Sequence, residues 1–255
     1  MNKGLKVFNG NYITQPDSDD ILDINYIAET VDFLEKNKDY GMVLCKLKIL
    51  NDKNLKQIGV LKRKHNSSYI FDDLILERNI YFRGYTIRSS AFLEVNPERN
   101  IFENRGGQNY QMLLPVAFKY RCGYINKCLY SYVVRQDSHS HQLKDLDSKL
   151  ERCDLHKEIL VNVIDGIKTM NQADKGLCFA LIEEKYVRRK LRIAFQFRDI
   201  KFFNKNYMIL QQYREIRVQD YLLYLAIKNK FIYYLTYYLY EIIRTITKTM
   251  KRYFL

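Results

Sequence analysis

The sequence predicts an α/β fold in its first part and a helical region after it. Up to residue 141, apolar runs typical of strands alternate with amphipathic helical segments. From Leu143 onward, apolar residues recur at helical spacing. We therefore expect a sheet-containing domain over residues 1–141 and a helical, basic, tyrosine-rich region over residues 142–255.

The composition is that of a globular protein of 255 residues, with 47% apolar and 28% charged residues and a net charge of +13. Residues 1–150 carry 22 basic and 18 acidic groups, whereas residues 151–255 carry 20 and 11. The excess in the second part predicts attraction to anionic lipid headgroups or, less specifically, to nucleic acid. No nucleic-acid motif or stacking platform accompanies this charge, so we expect no nucleic-acid partner.

Cysteine usage and hydropathy favour a cytoplasmic protein. The five cysteines are scattered and lack the C-x-x-C spacing, which favours reduced thiols over zinc ligands or disulfides. The N-terminus shows no apolar signal-peptide core. The longest uncharged apolar run, Phe231 to Tyr240, falls short of the ~20 residues of a membrane span.

The first predicted strand ends in an acidic cluster. Tyr12 and Ile13 are followed by Asp17-Ser18-Asp19-Asp20. Crowded carboxylates raise each other's pKa unless a cation neutralises them, and oxygen ligands suit Mg²⁺ or Mn²⁺ bound to a diphosphate. The alternative is a solvated turn in which Asp20 or Asp23 caps the next helix. An EF-hand is excluded because its glycine and glutamate are missing.

Further helices and strands follow in alternation. A helix comes first, whose buried side should comprise Ile24, Ile27, Ala28, Val31 and Leu34. Strands are predicted from Tyr40 to Cys45 and from Ile80 to Ile87, and a short helix from Arg88. Gly106 and Gly107 then precede a helix that begins near Gln108, with Met112, Leu113, Val116 and Ala117 on its buried side. The two glycines form either a turn or a phosphate-binding helix N-terminus.

Two short strands, beginning at Cys122 and Cys128, lead into a segment with two histidines. His139 and His141 fall on one face of an extended chain. Neutral imidazole can complete a metal site begun by carboxylates, and a solvated polar loop is the alternative.

The last part of the chain predicts helices. Segments from Leu146 to Met170 and from Leu177 to Phe197 have helical periodicity. Leu222 to Phe254 combines Tyr, Leu and Ile with interspersed basic residues. This pattern fits an amphipathic helix on a membrane surface, or else a helix packed on its neighbours with solvated charges.

The first acidic segment resembles a known family. N-K-G-L from Asn2, N-G-N-Y-I-T from Asn9 and D-S-D-D-I-L from Asp17 closely resemble the metal-binding segment of family 2 glycosyltransferases, whose fold is called GT-A. The resemblance implies that Asp19 and Asp20 bind Mg²⁺ or Mn²⁺, and that Asp17 faces the nucleotide ribose or shares the metal. Pro16 and Ile24 depart from the family pattern.

A second segment is similar to the acceptor-site motif of that family. R-G-G-Q-N-Y-Q-M-L-L-P, from Arg105, matches a variant of it, whereas G-E-D ordinarily supplies the catalytic base. Gln108 and Asn109 occupy the corresponding positions, and amides cannot take a proton at neutral pH. Glu103 is the nearest carboxylate that can serve as the base, or else a surface glutamate. Y-V-V-R-Q-D-S-H-S-H resembles the segment that closes the metal site, with His139 as first candidate and His141 as second.

The resemblance implies an inverting, metal-dependent glycosyltransferase. Its donor would be a nucleotide sugar, with a UDP-sugar favoured, and its acceptor a glycan or lipid-linked acceptor in bacterial capsule or lipopolysaccharide synthesis. The location would be the cytoplasm or the inner face of the cell membrane.

The resemblance covers only the second half of a GT-A domain, because the preceding βα units are missing from the sequence. We therefore expect a partial GT-A sheet without its N-terminal strands. A nucleotide sugar should bind weakly or not at all unless a partner chain supplies the other half. The alternative function is an inactive remnant or a subunit of a split glycosyltransferase.

Overall fold

The computed structural model describes residues 1–63, 67–78, 82–102, 106–135, 145–213 and 216–253. These residues form a mixed α/β structure with a curled half-barrel sheet and a helical C-terminal region. The strands are β1 (Tyr12–Thr14), β2 (Ile21–Leu22), β3 (Tyr40–Asn51), β4 (Gln57–Leu61), β5 (Tyr85–Arg88) and β6 (Arg121–Val134). The helices are α1 (Asn2–Val7), α2 (Tyr26–Lys36), α3 (Phe71–Leu76), α4 (Ser89–Val95), α5 (Gln108–Lys119), α6 (Leu146–Gly166), α7 (Gln172–Gln196), α8 (Ile200–Leu210), α9 (Val218–Lys228) and α10 (Lys230–Tyr253).

In the described part of the chain, the sheet has six strands in the order β1-β5-β3-β6-β2, and β4 pairs with β3 outside this path. Strands β3 and β6 pair in parallel, whereas β5 is antiparallel to both β1 and β3. Strands β1, β3 and β6 therefore run in the same direction. As a result, the ends of β1 and β6 and the start of β5 share one edge of the sheet.

The prediction of two short strands after Cys122 is wrong, since β6 is a single strand. It contains a bulge, at which its pairing with β3 shifts: Cys45 pairs with Ile125, but Lys46 pairs with Cys128. Asn126 and Lys127 are the extra residues, and both are exposed. A bulge lets a strand keep pairing while it bends, so the polar pair that suggested a strand end instead marks a kink.

Helix α2 is confirmed, but of the five residues predicted for its buried side only Leu34 is buried. The buried residues are Tyr26, Thr30 and Leu34, whereas Ile24 and Ile27 are exposed. The Tyr26 hydroxyl donates to the backbone carbonyl of Tyr85, and Thr30 donates to the carbonyl of Tyr26. Thr30 also accepts a hydrogen bond from the Thr86 hydroxyl of β5 at 3.1 Å. The inward face of α2 thus carries hydroxyls that bond to β5, a feature that hydrophobic periodicity does not detect.

Helices α4 and α5 confirm the predictions for their segments. All four residues predicted for the inner side of α5 are buried: Met112, Leu113, Val116 and Ala117. Gly107 precedes α5 with φ of 72°, and a Cβ there would lie 2.9 Å from Ile159. The left-handed backbone and the close approach both require glycine, which favours the turn.

The strand prediction for residues 80–87 holds for its second half, since β5 begins at Tyr85. Ile80 lies outside the described residues. In the C-terminal region α6 and α7 match the predicted helices, and the predicted stretch from Leu222 is divided into α9 and α10 at Asn229. Helix α8 was not predicted.

The cores of the two predicted domains are continuous. The largest apolar cluster contains Leu44 of the sheet and also Ile159 of α6 and Ile182 of α7. A second cluster joins the end of α7 to α8, α9 and α10. Helix α7 contributes residues to both clusters. The division into two domains near residue 141 stays a prediction.

Glu77 connects the sheet side of the molecule to α7. It follows α3 with φ of 52°, a left-handed backbone. Its carboxylate lies 2.6 Å from the Lys185 ammonium and 2.8 Å from the Arg189 guanidinium, and it also bonds the Tyr110 hydroxyl of α5. Burial raises the pKa of Glu77, but Lys185 and Arg189 outweigh burial and lower it from 4.5 to about 2.

Across the residues that the structure describes, no helix is both long enough and apolar enough to cross a bilayer.

We predict that Gly123→Ala destabilises the fold, because a Cβ there would lie 2.1 Å from Cε1 of Phe33 in α2. Relieving the overlap should cost about 1–3 kcal/mol in the free energy of unfolding. The matched control is Gly176→Ala in α7, where nothing lies within 4 Å of the new Cβ; it should add about 0.5–1 kcal/mol. Urea unfolding followed by circular dichroism measures both, and equal midpoints for Gly123→Ala and wild type would contradict the packing.

We predict that Glu77→Gln destabilises the protein by about 3–5 kcal/mol at neutral pH, because Lys185, whose side chain is 10% exposed, and the partly buried Arg189 lose their carboxylate partner. In the wild type, the folded pKa of Glu77 is about 2 against an ordinary 4.5. The ionised Glu77 carboxylate therefore makes its full contribution to the free energy of unfolding above pH 4.5. This contribution declines as the pH falls towards 2, by roughly 3 kcal/mol in total. The variant should lack this decline.

The control for this experiment is Glu98→Gln, whose side chain is 75% exposed and pairs with an exposed Lys168. It should change the unfolding free energy by less than about 0.5 kcal/mol. Urea titrations between pH 7 and pH 2 compare the variants, and an unchanged acid slope in Glu77→Gln would contradict the assignment.

Candidate functional site

The acidic cluster lies at the sheet edge where β1 and β6 end and β5 begins. Residues 15–20 connect β1 to β2. Arg83 comes two residues before β5, and Arg135 directly follows β6. The three aspartates and two arginines, distant in sequence, therefore meet at one edge.

Asp20 is the buried centre of this cluster. Its side chain is 0% exposed. One oxygen accepts the Val133 backbone N–H at 3.0 Å, and the other accepts the Tyr130 hydroxyl at 2.7 Å and the Arg83 Nε at 3.2 Å. Burial raises the pKa of Asp20, while these three donors favour the charged form. The carboxylate thus fixes the acidic loop to β6, and it does not cap α2, whose N-cap is Asn25.

Asp17 shares Arg83 with Asp20. Both Nε and Nη2 of Arg83 lie 2.9 Å from the same oxygen of Asp17. The guanidinium also stacks on the Tyr132 ring, 4.2 Å from its centroid. The carboxylates raise the pKa of Arg83 against the opposing effect of burial. The cation that the acidic cluster requires is therefore supplied, in this structure, by Arg83.

Asp19 is the third carboxylate and lies further out. It contacts Nε of Arg135 at 3.4 Å, and its side chain is 32% exposed. Asp17 is similarly accessible at 38%. Asp17 and Asp19, unlike Asp20, thus retain carboxylate surface that an incoming ligand or ion can reach.

Tyr85 links this cluster to the start of α5. Its hydroxyl lies 3.2 Å from the side-chain oxygen of Gln15 and 3.1 Å from that of Asn109. The predicted acceptor residues Gln108 and Asn109 form the first turn of α5. The two segments that resemble the family are therefore joined through one buried hydroxyl.

Three of the predicted site residues cannot be placed. Glu103, His139 and His141 lie outside the described residues. Among the residues that are described, no group of three or more His, Cys, Asp and Glu side chains is arranged to hold a metal. Asp17 and Asp19 nevertheless offer the exposed carboxylate oxygens that suit Mg²⁺ or Mn²⁺.

Sequence analysis did not identify Arg83, Tyr85, Tyr130 or Arg135 as site residues. Arg83 is 66 residues from Asp17 in sequence, and Tyr130 is 110 residues from Asp20. Neither belongs to a motif with a fixed spacing, so only the sheet topology brings them to the aspartates. The motif V-V-R, which ends in Arg135, was the nearest available signal.

The comparisons with known proteins do not identify a family. Neither a scan against protein-family models nor a search of curated proteins finds a match to this chain.

We predict that Tyr130→Phe costs about 1–3 kcal/mol in the free energy of unfolding, because the buried Asp20 carboxylate loses its shortest donor. The same hydroxyl accepts the Asp17 backbone N–H at 3.2 Å, and that bond is lost too. Tyr132→Phe is the matched control, since it keeps the ring beneath Arg83 and should change the free energy by less than about 0.5 kcal/mol. Equal unfolding midpoints for the two variants would contradict the anchoring role of Tyr130.

Proposed function

We propose that this chain is a glycosyltransferase polypeptide of the family 2 type with a partial GT-A sheet. It would transfer a sugar from a nucleotide-sugar donor, with a UDP-sugar favoured, to a glycan or lipid-linked acceptor in bacterial surface polysaccharide synthesis. The observation that carries the proposal is that the Tyr85 hydroxyl lies within hydrogen-bonding distance of both Gln15, at the start of the acidic loop, and Asn109, in the first turn of α5. Two segments that resemble different parts of one family site thus lie at a single sheet edge.

The position of the site supports the same chemistry. In open α/β sheets, ligands bind beyond the carboxyl ends of parallel strands, and β1 and β6 end here. Bound Mg²⁺ or Mn²⁺ would stabilise the departing diphosphate, with Asp17 and Asp19 as its accessible ligands. Asp20 would hold the loop in place from its buried position.

The arginines of the site have a role on the donor side. Guanidinium groups bind phosphate oxygens in a planar, two-pronged geometry. Arg83 and Arg135 are paired with Asp17 and Asp19 at distances of 2.9 and 3.4 Å. When a diphosphate reaches the site, these arginines are placed to exchange part of their contact with carboxylate for contact with phosphate.

The acceptor side would rely on amides and on a carboxylate from elsewhere. Gln108 and Asn109 can orient an acceptor hydroxyl by hydrogen bonds but cannot accept its proton. Glu103 remains the predicted base.

The presence of the amides Gln108 and Asn109 in place of the family's catalytic carboxylate also favours a second candidate function. In this alternative, a polypeptide with the same architecture is an inactive remnant or a subunit of a split glycosyltransferase. The specific observation is that Asn109 stands where the family has its base and has its oxygen bonded to Tyr85.

We predict that the chain hydrolyses or transfers from at least one UDP-sugar with Mn²⁺, and that Asp19→Ala abolishes this turnover. The physical reason is that Asp19 is an accessible carboxylate of the cluster, so its loss weakens binding of the metal and diphosphate. A panel of UDP-sugars with and without Mn²⁺, read out as UDP release, measures the activity. Calorimetry measures Mn²⁺ binding in parallel.

The control is Asp32→Ala, which removes an equally negative side chain from the solvent-exposed surface of α2 and should leave both readouts unchanged. Turnover that survives in Asp19→Ala would refute the role of the cluster. Absence of turnover in every variant, together with identical Mn²⁺ binding, would favour the inactive remnant.

A further inference from the structure

The last two helices expose an unusual amount of apolar surface. Among the α10 side chains that the structure describes, the large apolar ones facing solvent are Phe231, Ile232, Tyr234, Leu235, Tyr238, Leu239 and Ile242, between 43% and 78% exposed. Their spacing of three or four residues places them on one side of the helix. We call this surface the apolar face of α10.

The opposite side of α10 is fixed to the protein. The Tyr233 ring is 5% exposed and packs 5.0 Å from the Phe195 ring, and its hydroxyl donates to the Phe195 carbonyl at 3.0 Å. The side chain of Asn229 accepts the backbone N–H of Phe231 at 2.9 Å, which caps the helix. The orientation of α10 is therefore set by packing, and the packing turns an apolar stripe outward.

Helix α9 repeats this arrangement. Leu223, Ala226 and Ile227 are buried in the C-terminal core. The exposed large side chains of the same helix are Val218, Tyr221, Leu222 and Leu225, again at a helical spacing. Two consecutive helices that contact each other thus each present apolar residues to solvent, which in a folded protein marks an interaction surface.

The charge of this region indicates the kind of surface that it meets. The sequence of α10 contains Lys230, Arg244, Lys248, Lys251 and Arg252 but only Glu241 as an acid. Residues 151–255 together carry 20 basic and 11 acidic groups. A region of this net charge repels a second copy of itself and is attracted to the anionic headgroups of a lipid bilayer.

The apolar residues are also of the type found at a bilayer interface. Tyr and Phe alternate with Leu and Ile along the apolar face, and tyrosine rings favour the headgroup level where an apolar ring meets water. A helix with this pattern lies in the plane of the interface with its apolar side inserted.

We propose that α9 and α10 form a peripheral membrane-binding surface that inserts the apolar face of α10 into an anionic lipid interface. This inference rests on burial and charge alone and is independent of the transferase proposal. It places the protein on the surface of a membrane.

The test is co-flotation of the full chain with vesicles of phosphatidylcholine that contain phosphatidylglycerol. Wild type should float with these vesicles, less so with phosphatidylcholine alone, and less at high salt because the charge contribution is screened. Leu235→Asp should reduce partitioning about tenfold or more, since burial of one leucine is lost and a like charge is set against the lipid. Phe231→Ser should reduce it as well.

The matched control is Leu177→Asp, a leucine of α7 that is 66% exposed and lies outside the proposed surface. It should bind vesicles as wild type does, and circular dichroism should show that all variants are folded. Equal binding of Leu235→Asp and wild type would overturn the proposal, as would failure of wild type to bind vesicles. In the latter case, a dimer in analytical ultracentrifugation that Leu235→Asp dissociates would identify the surface as an interface between copies.

Discussion

The buried carboxylate of Asp20 is the constraint on which the candidate site depends. A charge with no solvent exposure is tolerated only when donors satisfy it, and here β6 provides two donors while the segment before β5 provides the third. The acidic loop is consequently held at one place on the sheet edge. Asp17 and Asp19 owe their outward positions to this fixed neighbour.

Arg83 extends the same constraint to the rest of the site. It bridges Asp17 and Asp20 and rests on the Tyr132 ring, so the acidic loop and β6 are held together by one guanidinium from the segment before β5. An arginine in this position neutralises the loop without a ligand and can also bind phosphate. In the proposed function, a diphosphate would compete with the resting ion pairs for the same groups, and its binding would then depend on both metal and salt.

Helix α7 is tied to α3 and α5 by a second, partly buried carboxylate, Glu77. Its contacts with Lys185 and Arg189 of α7 fix the helix whose far end builds the C-terminal core. That core takes up one side of α9 and α10 and leaves their other side apolar and exposed. The orientation of a membrane-binding surface would therefore be set, through α7, by an ion-pair cluster on the opposite side of the helix.

Local sequence patterns are sufficient to predict the order of most elements, the acidic loop after the first strand, and the helix that begins at Gln108. These features depend on local periodicity, on glycine and on charge clustering, all of which act between near neighbours. At α2 hydrophobic periodicity identified only Leu34 of the buried side, because the other two buried residues, Tyr26 and Thr30, turn inward with hydroxyls bonded to β5. It failed at β6 too, where an exposed bulge resembled a strand end.

Only the tertiary structure decided which cation faces the aspartates and which side of α10 is exposed. Arg83 and Tyr130 reach Asp20 across 63 and 110 residues of chain, and no local pattern specifies such pairs. The apolar stripe of α10 was visible in the sequence, but whether it faced a core or solvent depended on Tyr233 docking against Phe195. Contacts between distant segments carry this information because burial and charge pairing are properties of the assembled fold.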